Sequence, residues 1–321
     1  MDVKALPKVK MDRIPSYQGL EWDRKISDPN NPNFWKYGVA NLIFLDQIGD
    51  KKLLLDLGCG TGGSTLFVAG KTSAEWIIGV DLVRDMIKVA KKNAINEGLG
   101  PKISFLVCDG RHLPFKASCF EAIISRGDAF CFLVPIKSAV QELRRIVRPK
   151  GVVILEMDNR ANWKPSTIIS ASFRKTLDGE MAYIVEVFTT NRNHSTVSYI
   201  LDPQSEIFRK VTNDLEFQRK GYTTLKYSLR RAKEENIGIR IGAPTHWPTA
   251  KELYKLFERE GFAEVQVMGD GLLMKLLLNG DKTIIEAMKR DPPLFFELEK
   301  RQVQYVDPNK APTIILRATA P

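Results

Sequence analysis

The chain has 321 residues, 44% hydrophobic and 27% charged, a balance that describes a folded globular protein and not a disordered one. Its length accommodates one large α/β domain with additions, or two smaller domains. A formal net charge of +10 makes a polyanionic partner a candidate, although lysine-rich surfaces also accompany heat adaptation.

Four cysteines (Cys59, Cys108, Cys119, Cys131) lack Cys-x-x-Cys spacing and only three histidines are present, so buried free thiols are expected rather than a metal site or a disulfide framework. No apolar run is long enough to span a bilayer, and the polar start MDVKALPKVKMDR lacks a signal-peptide core, so cytoplasmic residence is the expectation.

Residues 1–50 mix turn formers (Pro15, Pro29, Asn30, Asn31, Pro32) with aromatics (Tyr17, Trp22, Phe34, Trp35, Tyr37). The stripe Val39, Leu42, Ile43, Leu45 then predicts a helix over 38–47 that leads towards the first strand, making this segment a cap. From Leu53 to Ser64 the chain reads LLLDLGCGTGGS, a buried strand running into a glycine-lined turn, with a helix beginning at Ser64-Thr65-Leu66. The spacing Gly58, Gly60, Gly63 satisfies the dinucleotide fingerprint, so a nicotinamide enzyme is one reading. Asp56 favours another. An acid two residues before the first glycine suits a ligand with an amine and a sulfonium better than one with a pyrophosphate.

The second strand is 76–80 and ends in Asp81, placed where a carboxylate takes both ribose hydroxyls. Met86, Ile87, Ala90 and Ala94 mark a helix stopped by Gly98 and Gly100. A third strand, 103–107, leads to Cys108-Asp109-Gly110, and a fourth, 120–125, to Arg126-Gly127-Asp128. A helix over 136–148 closes with Arg148-Pro149-Lys150-Gly151, and a fifth strand covers 152–155. Regular alternation implies parallel strands joined by right-handed crossovers, with ligands beyond the carboxyl ends of the strands.

DLGCGTG, the acid of GVDL, the CDG run, FEAIIS and RPKGVVIL occur in the order and spacing of the class I S-adenosylmethionine (SAM) dependent methyltransferases, which the chain resembles over roughly 40–158. The resemblance implies an α/β, Rossmann-like, seven-stranded and mostly parallel sheet with helices on both faces, and SAM as cofactor. It implies that Gly58 and Gly60 lie under the methionine moiety with Asp56 near its amino group. Asp81 would hold the ribose, Leu82 flank the adenine, Asp109 with Gly110 read the adenine edge, and Ser125 line the cofactor. The domain reading is an N-terminal cap (1–50), a cofactor core (51–159), an inserted α+β substrate-recognition region (160–245) and the remainder of the core (246–321).

Within 160–245, residues 181–189 and 196–201 read as antiparallel strands around Asn191-Arg192-Asn193. Cations (Arg209, Lys210, Arg219, Lys220, Lys226, Arg230, Arg231, Lys233) interleave with Phe208, Phe217, Tyr222 and Tyr227. That pattern suits single-stranded nucleic acid, and a solvated helical face balanced by Glu216, Glu234 and Glu235 explains it equally well. Thr249 with Glu252 predicts a capping box, with strands at 263–268 and 313–318 joined by about 40 residues containing two helices. Asp291-Pro292-Pro293-Leu294 reads as a loop.

In-line methyl transfer needs alignment and desolvation rather than a covalent nucleophile. Asp128, Glu156, Asp158 and Asn159 stand nearest the expected methyl position as acceptor-orienting groups, with turn or cap formation as the plain alternative. Phe130, Trp163 and Trp247 are candidate acceptor walls, or core, and Arg230 and Arg231 candidate contacts to a polyanion. The charge and the basic-aromatic insertion favour N-methylation of a base in structured ribosomal or transfer RNA. Alternatives are a small-molecule or lipid-head-group N/O-methyltransferase and a non-catalytic SAM-binding partner subunit.

Overall fold

The computed structural model describes residues 32–159, 167–175, 181–189, 195–227, 237–270 and 282–321. These residues form two compact units, one within Gly19–Asn162 and His246–Pro321, the other within Trp163–Thr245.

The first unit is built on strands β1 (Leu53–Leu57), β2 (Trp76–Asp81), β3 (Ile103–Val107), β4 (Phe120–Ser125), β5 (Val147–Asp158), β11 (Ala263–Asp270) and β12 (Thr313–Thr319). Their order in one seven-stranded sheet is β3-β2-β1-β4-β5-β12-β11. The first five run parallel, while β12 is antiparallel to both β5 and β11. Helices α1 (Pro32–Ile48), α2 (Gly63–Lys71) and α3 (Arg84–Asn96) cover one face, joined there by α8 (Lys282–Arg290) and α9 (Pro292–Gln302). The other face carries α4 (Ile136–Ile146) and α7 (Ala250–Arg259).

Successive strand residues feed opposite faces, as a period of two demands. Leu54, Ile77, Ile124 and Ile154 face the first layer, and Leu55, Val80, Ile123 and Val153 the second. Both faces are therefore apolar, which is why these strands read as continuous hydrophobic runs. Helix α4 is amphipathic through Ala139, Val140, Leu143 and Ile146, all buried. Helix α7 opens on the expected capping box: Thr249 accepts from the Glu252 N–H at 3.2 Å, and Glu252 accepts from the Thr249 N–H at 2.9 Å.

Two local expectations are corrected. Arg148-Pro149-Lys150-Gly151 does not end a helix but lies inside β5. The pairing of β4 with β5 shifts from Phe120↔Val147 to Ala122↔Val152, so these residues bulge out of register. The Lys150 N–H donates to the Ala320 carbonyl at 2.8 Å. Asp291-Pro292-Pro293-Leu294 starts α9: the Asp291 carboxylate accepts from the Leu294 N–H at 3.1 Å, and the two prolines occupy the first turn, where no N–H is needed. No described helix is long and apolar enough to cross a membrane.

The second unit contains strands β6 (Thr167–Lys175), β7 (Met181–Thr189), β8 (Ser195–Leu201), β9 (Tyr222–Tyr227) and β10 (Gly238–His246), in the sheet order β10-β8-β7-β6-β9. The hairpin expected from the alternating pattern is present as β7 and β8, paired antiparallel from Thr189↔Ser195 to Ile184↔Ile200. The turn residues 191–193 lie outside the described residues. Helices α5 (Glu206–Thr212) and α6 (Leu215–Lys220) place Ile207, Val211 and Phe217 against Ile169, Ala171, Val185 and Leu201.

This packing decides how the basic-aromatic run is used. Phe217 is buried, and the partly buried Phe208 packs on Tyr183 with ring centroids 4.9 Å apart, so two of the expected stacking rings are engaged within this unit. Lys210 pairs with Glu206 at 2.8 Å and Lys220 with Glu216 at 3.0 Å, both one turn apart on their helices. Tyr222 stays exposed, with the Lys220 ammonium 5.7 Å from its ring centre. Arg230, Arg231 and Lys233 lie outside the described residues.

Candidate functional site

Strand order reverses between β1 and β4, and an open α/β sheet offers its crevice beyond the strand ends at such a point. The chain leaves β1 through a bend in which the N–H groups of Gly58 and Cys59 both donate to the Val80 carbonyl, at 2.8 and 3.0 Å. Gly58 and Gly60 have φ of 72° and 54°, in the left-handed region that side chains disfavour. Their surroundings differ. A Cβ on Gly58 would stand 2.3 Å from the Ala129 Cβ, whereas one on Gly60 would meet nothing within 4 Å. Gly58 is thus needed for close packing of the β4 loop on the bend, and Gly60 faces open space.

Asp81, at the tip of β2, is held by the bend it faces. Its Oδ2 accepts from the Gly60 N–H at 2.9 Å and its Oδ1 from the Val83 N–H at 2.8 Å. Burial raises its pKa, opposed by the N–H groups of Val83, Gly60 and Leu82. The neighbouring Leu82 leaves 66% of its surface in solvent, a large apolar side chain exposed beside a carboxylate.

At the tip of β3, the Cys108 N–H donates to the Asp81 carbonyl at 3.0 Å, bringing the second acid alongside the first. Asp109 is gripped by Arg111, whose Nε lies 3.0 Å from Oδ1 and whose Nη2 lies 2.6 Å from Oδ2. The guanidinium lowers the Asp109 pKa by hydrogen bonding and charge. Gly110 packs where a Cβ would meet a Leu57 methyl at 2.7 Å.

Two of the expected cofactor groups are buried. Asp56 is fully buried beneath the bend, where Ser64 Oγ and Thr65 Oγ1 donate to its Oδ2 at 2.7 and 2.6 Å. Through Oδ2 it anchors the start of α2 from below. Its Oδ1 has no hydrogen-bond partner among the described residues, and burial raises its pKa against the lowering effects of Thr65, Ser64 and the nearby Arg126 charge. Ser125 is buried as well, and its Oγ donates to the Leu57 carbonyl at 2.8 Å, tying β4 to β1 rather than lining the crevice.

Of the four expected acceptor-orienting groups, the Glu156 and Asp128 carboxylates link β4 to the end of β5. The Gly127 N–H donates to Glu156 Oε2 at 2.8 Å, and the Asp158 N–H to Asp128 Oδ1 at 2.5 Å. Asn159 is buried, with Nδ2 donating to the carbonyls of Pro308 and Ala311 at 2.7 and 2.9 Å. Its role is to fix the loop before β12. Asp128 and Asp158 remain partly exposed.

Of the two readings of Phe130 and Trp247, acceptor wall or core, the structure shows core: both are buried in the α4–α7 layer, and the Phe130 ring lies 6.5 Å from that of Phe257. Trp163, Arg230 and Arg231 lie outside the described residues. Burial pushes the thiols of Cys59, Cys108 and Cys119 upward, Cys108 to about 11, so none of the three is poised as a thiolate.

Sequence reading missed four contributors: Ser64 and Thr65 under Asp56, Arg111 on Asp109, and the buried Arg126, whose Nη1 donates to Asn41 Oδ1 of α1. Only Arg111, two residues beyond an acid, carried a local signal, because aspartates at such turns engage groups two residues on.

Residues 54–151 match a family model described as a methyltransferase domain. The methyltransferase GfsG of Streptomyces halstedii is 27% identical over 162 residues, which is 50% of this chain and 52% of that protein. Norajmaline N-methyltransferase of Rauvolfia serpentina is 27% identical over 124 residues, covering 39% and 42% of the two chains. The chain therefore spans about half the length of these curated relatives. Among solved structures, the CcbJ methyltransferase of Streptomyces caelestis superposes with a TM-score of 0.58 at 12% identity, covering 98% of this chain and 100% of its own, a likeness of fold. The bend, the acids at the tips of β2 and β3, and the family match together mark residues 54–151 as a methyltransferase domain.

Proposed function

We propose that the protein transfers a methyl group from SAM to a nitrogen or oxygen of a small-molecule acceptor, acting in the cytoplasm. The observation that carries this reading is the open space above Gly60 beside Asp81, whose carboxylate is fixed by two backbone N–H groups. A side-chain-free bend next to an oriented acid fits a sulfonium nucleoside. The bend accepts close approach of the methionyl part, Asp81 takes the ribose hydroxyls, Leu82 supplies an apolar surface for the adenine, and Asp109 with Gly110 meets its edge. SAM supplies an activated methyl group.

The chain's own task is then to bind, orient and exclude water. Glu156 and Asp128 hold the β4 and β5 tips at fixed separation through the Gly127 and Asp158 N–H groups. The partly exposed carboxylates of Asp128 and Asp158 are the groups best placed to orient an acceptor N–H or O–H. A thiolate nucleophile is not part of the reading, since burial keeps Cys59 and Cys108 protonated.

The small-molecule acceptor is supported by relatives such as norajmaline N-methyltransferase. It is supported also by the second unit, where Phe208 and Phe217 are spent on packing and two lysines on ion pairs. One observation favours the second reading, methylation of an RNA base: the net charge of +10. The test is calorimetry with S-adenosylhomocysteine, then transfer of labelled methyl groups to a polar-metabolite extract and to total RNA. Label in metabolites supports the first reading. Label in RNA, with affinity falling steeply as salt rises, replaces it with the second. Absence of any binding to the homocysteine product rejects both.

A further inference from the structure

Among the described residues, every hydrogen bond to the Asp109 carboxylate comes from a single partner. Oδ1 accepts from the Arg111 N–H at 2.9 Å and from Nε at 3.0 Å, while Oδ2 accepts from Nη2 at 2.6 Å and from Nε at 3.2 Å. The remaining guanidinium nitrogen, Nη1, donates to the Val134 carbonyl at 2.6 Å, in the loop that precedes α4. Arg111 therefore braces the tip of β3 against a segment more than twenty residues further along the chain. The pair is not sealed: the Asp109 side chain keeps 28% of its surface in solvent.

We propose that Arg111 is the positioning residue for purine recognition, holding Asp109 as an oriented, anionic acceptor that selects a 6-amino purine over a 6-oxo purine. This rests on the SAM reading above. A carboxylate has about four lone-pair directions. The four contacts are made by three N–H groups of Arg111, because the single Nε hydrogen is shared between Oδ1 at 3.0 Å and Oδ2 at 3.2 Å, so the carboxylate keeps capacity for one further donor. An exocyclic amino group supplies that donor. A 6-oxo group presents an acceptor to an anion and is repelled.

Orientation is what the guanidinium adds. Its planar fork meets both oxygens while reaching a third acceptor, and a single ammonium cannot do all three. The arrangement also keeps Asp109 deprotonated, since the guanidinium lowers its pKa, so the carboxylate cannot itself turn into a donor toward a 6-oxo group.

The experiment compares S-adenosylhomocysteine with S-inosylhomocysteine by calorimetry on the full chain, for the unmodified protein and for Arg111→Lys, Arg111→Gln and Asp109→Asn. The unmodified protein is expected to prefer the adenosyl ligand by about a hundredfold, the scale of one hydrogen bond to a charged group plus the repulsion in the wrong pairing. Arg111→Lys and Arg111→Gln are expected to shrink that preference at least fivefold, and Asp109→Asn to abolish it, because an amide donates to a 6-oxo group as well as it accepts.

A merely structural arginine would weaken both ligands equally and leave the ratio unchanged, and that result in Arg111→Lys, with its melting curve intact, overturns the proposal. Binding of the adenosyl ligand without preference in the unmodified protein also overturns it, while leaving the SAM reading standing. Failure of the unmodified protein to bind either ligand removes the SAM reading, and this one with it.

Discussion

Gly58 and Gly60 sit two residues apart in the same bend, both with positive φ, yet alanine is expected to injure them in different ways. An L-residue held in the left-handed region costs about 1–2 kcal/mol. For Gly60→Ala that is the whole structural penalty, because its Cβ meets nothing within 4 Å. At about 2–4 °C per kcal/mol for a unit of this size, the melting temperature should fall by only a few degrees. The methyl group, however, projects into the space the methionyl moiety is proposed to use, so affinity for S-adenosylhomocysteine should drop by at least an order of magnitude.

Gly58→Ala adds a collision. Its Cβ would lie 2.3 Å from the Ala129 Cβ, more than 1 Å inside ordinary contact. Overpacking of that kind costs about 1–3 kcal/mol beyond the backbone strain. Ala129→Gly removes the colliding atom and leaves the Ala129 Cα at 3.6 Å, an acceptable contact. The double variant Gly58→Ala, Ala129→Gly should therefore recover part of the lost stability in urea titrations, but not the share owed to φ. If the double variant is no more stable than Gly58→Ala alone, the packing argument is wrong. If Gly60→Ala binds the product as tightly as the unmodified chain, the open space is not the methionyl site.

Three other contacts make equally definite expectations. Asp81→Asn replaces an acceptor pair that holds the Gly60 and Val83 N–H groups, and product affinity by calorimetry should fall at least tenfold, with little change in far-ultraviolet circular dichroism. Asn159→Ala leaves the Pro308 and Ala311 carbonyls without their amide donor, so urea denaturation should show a loss of about 1–3 kcal/mol, while product affinity stays within a few fold. The lowered Asp109 pKa has a definite sign: its contribution to stability is complete above the unfolded carboxylate value near pH 4 and fades as pH falls through the lower folded value. Melting temperatures of Asp109→Asn and the unmodified chain should differ at pH 6 and converge on acidification below pH 4. A constant gap would mean that the carboxylate charge contributes nothing.

Much of the cofactor unit was legible because its signals are local. A strand that must be buried on both faces shows as an apolar run, a bend without side chains as spaced glycines, and a helix start as Thr249 with Glu252 three residues on. Each is set by backbone sterics or by partners within a few residues, and each survives into the fold, the strands 103–107 and 120–125 with their expected bounds. The exception at 148–151 arose because a proline and a glycine that would end a helix also suit a bulge, and the choice was made by pairing with Ala320, far away in sequence.

What only the tertiary structure decided is which polar groups are buried in holding the framework. Asp56, Ser125, Glu156 and Asn159 are the right residue types in the right places for a site, yet each is spent on a carbonyl, hydroxyl or N–H brought to it by another element. Phe130, Phe217 and Trp247 likewise went to core, and Phe208 packs against it. Burial and hydrogen-bond partnership are properties of the assembled chain, whereas composition and spacing carry only the capacity for them. That is why the amino-acid order by itself specified the bend and the acids at the tips of β2 and β3, and packing alone revealed Arg111 as the group that aims one of them.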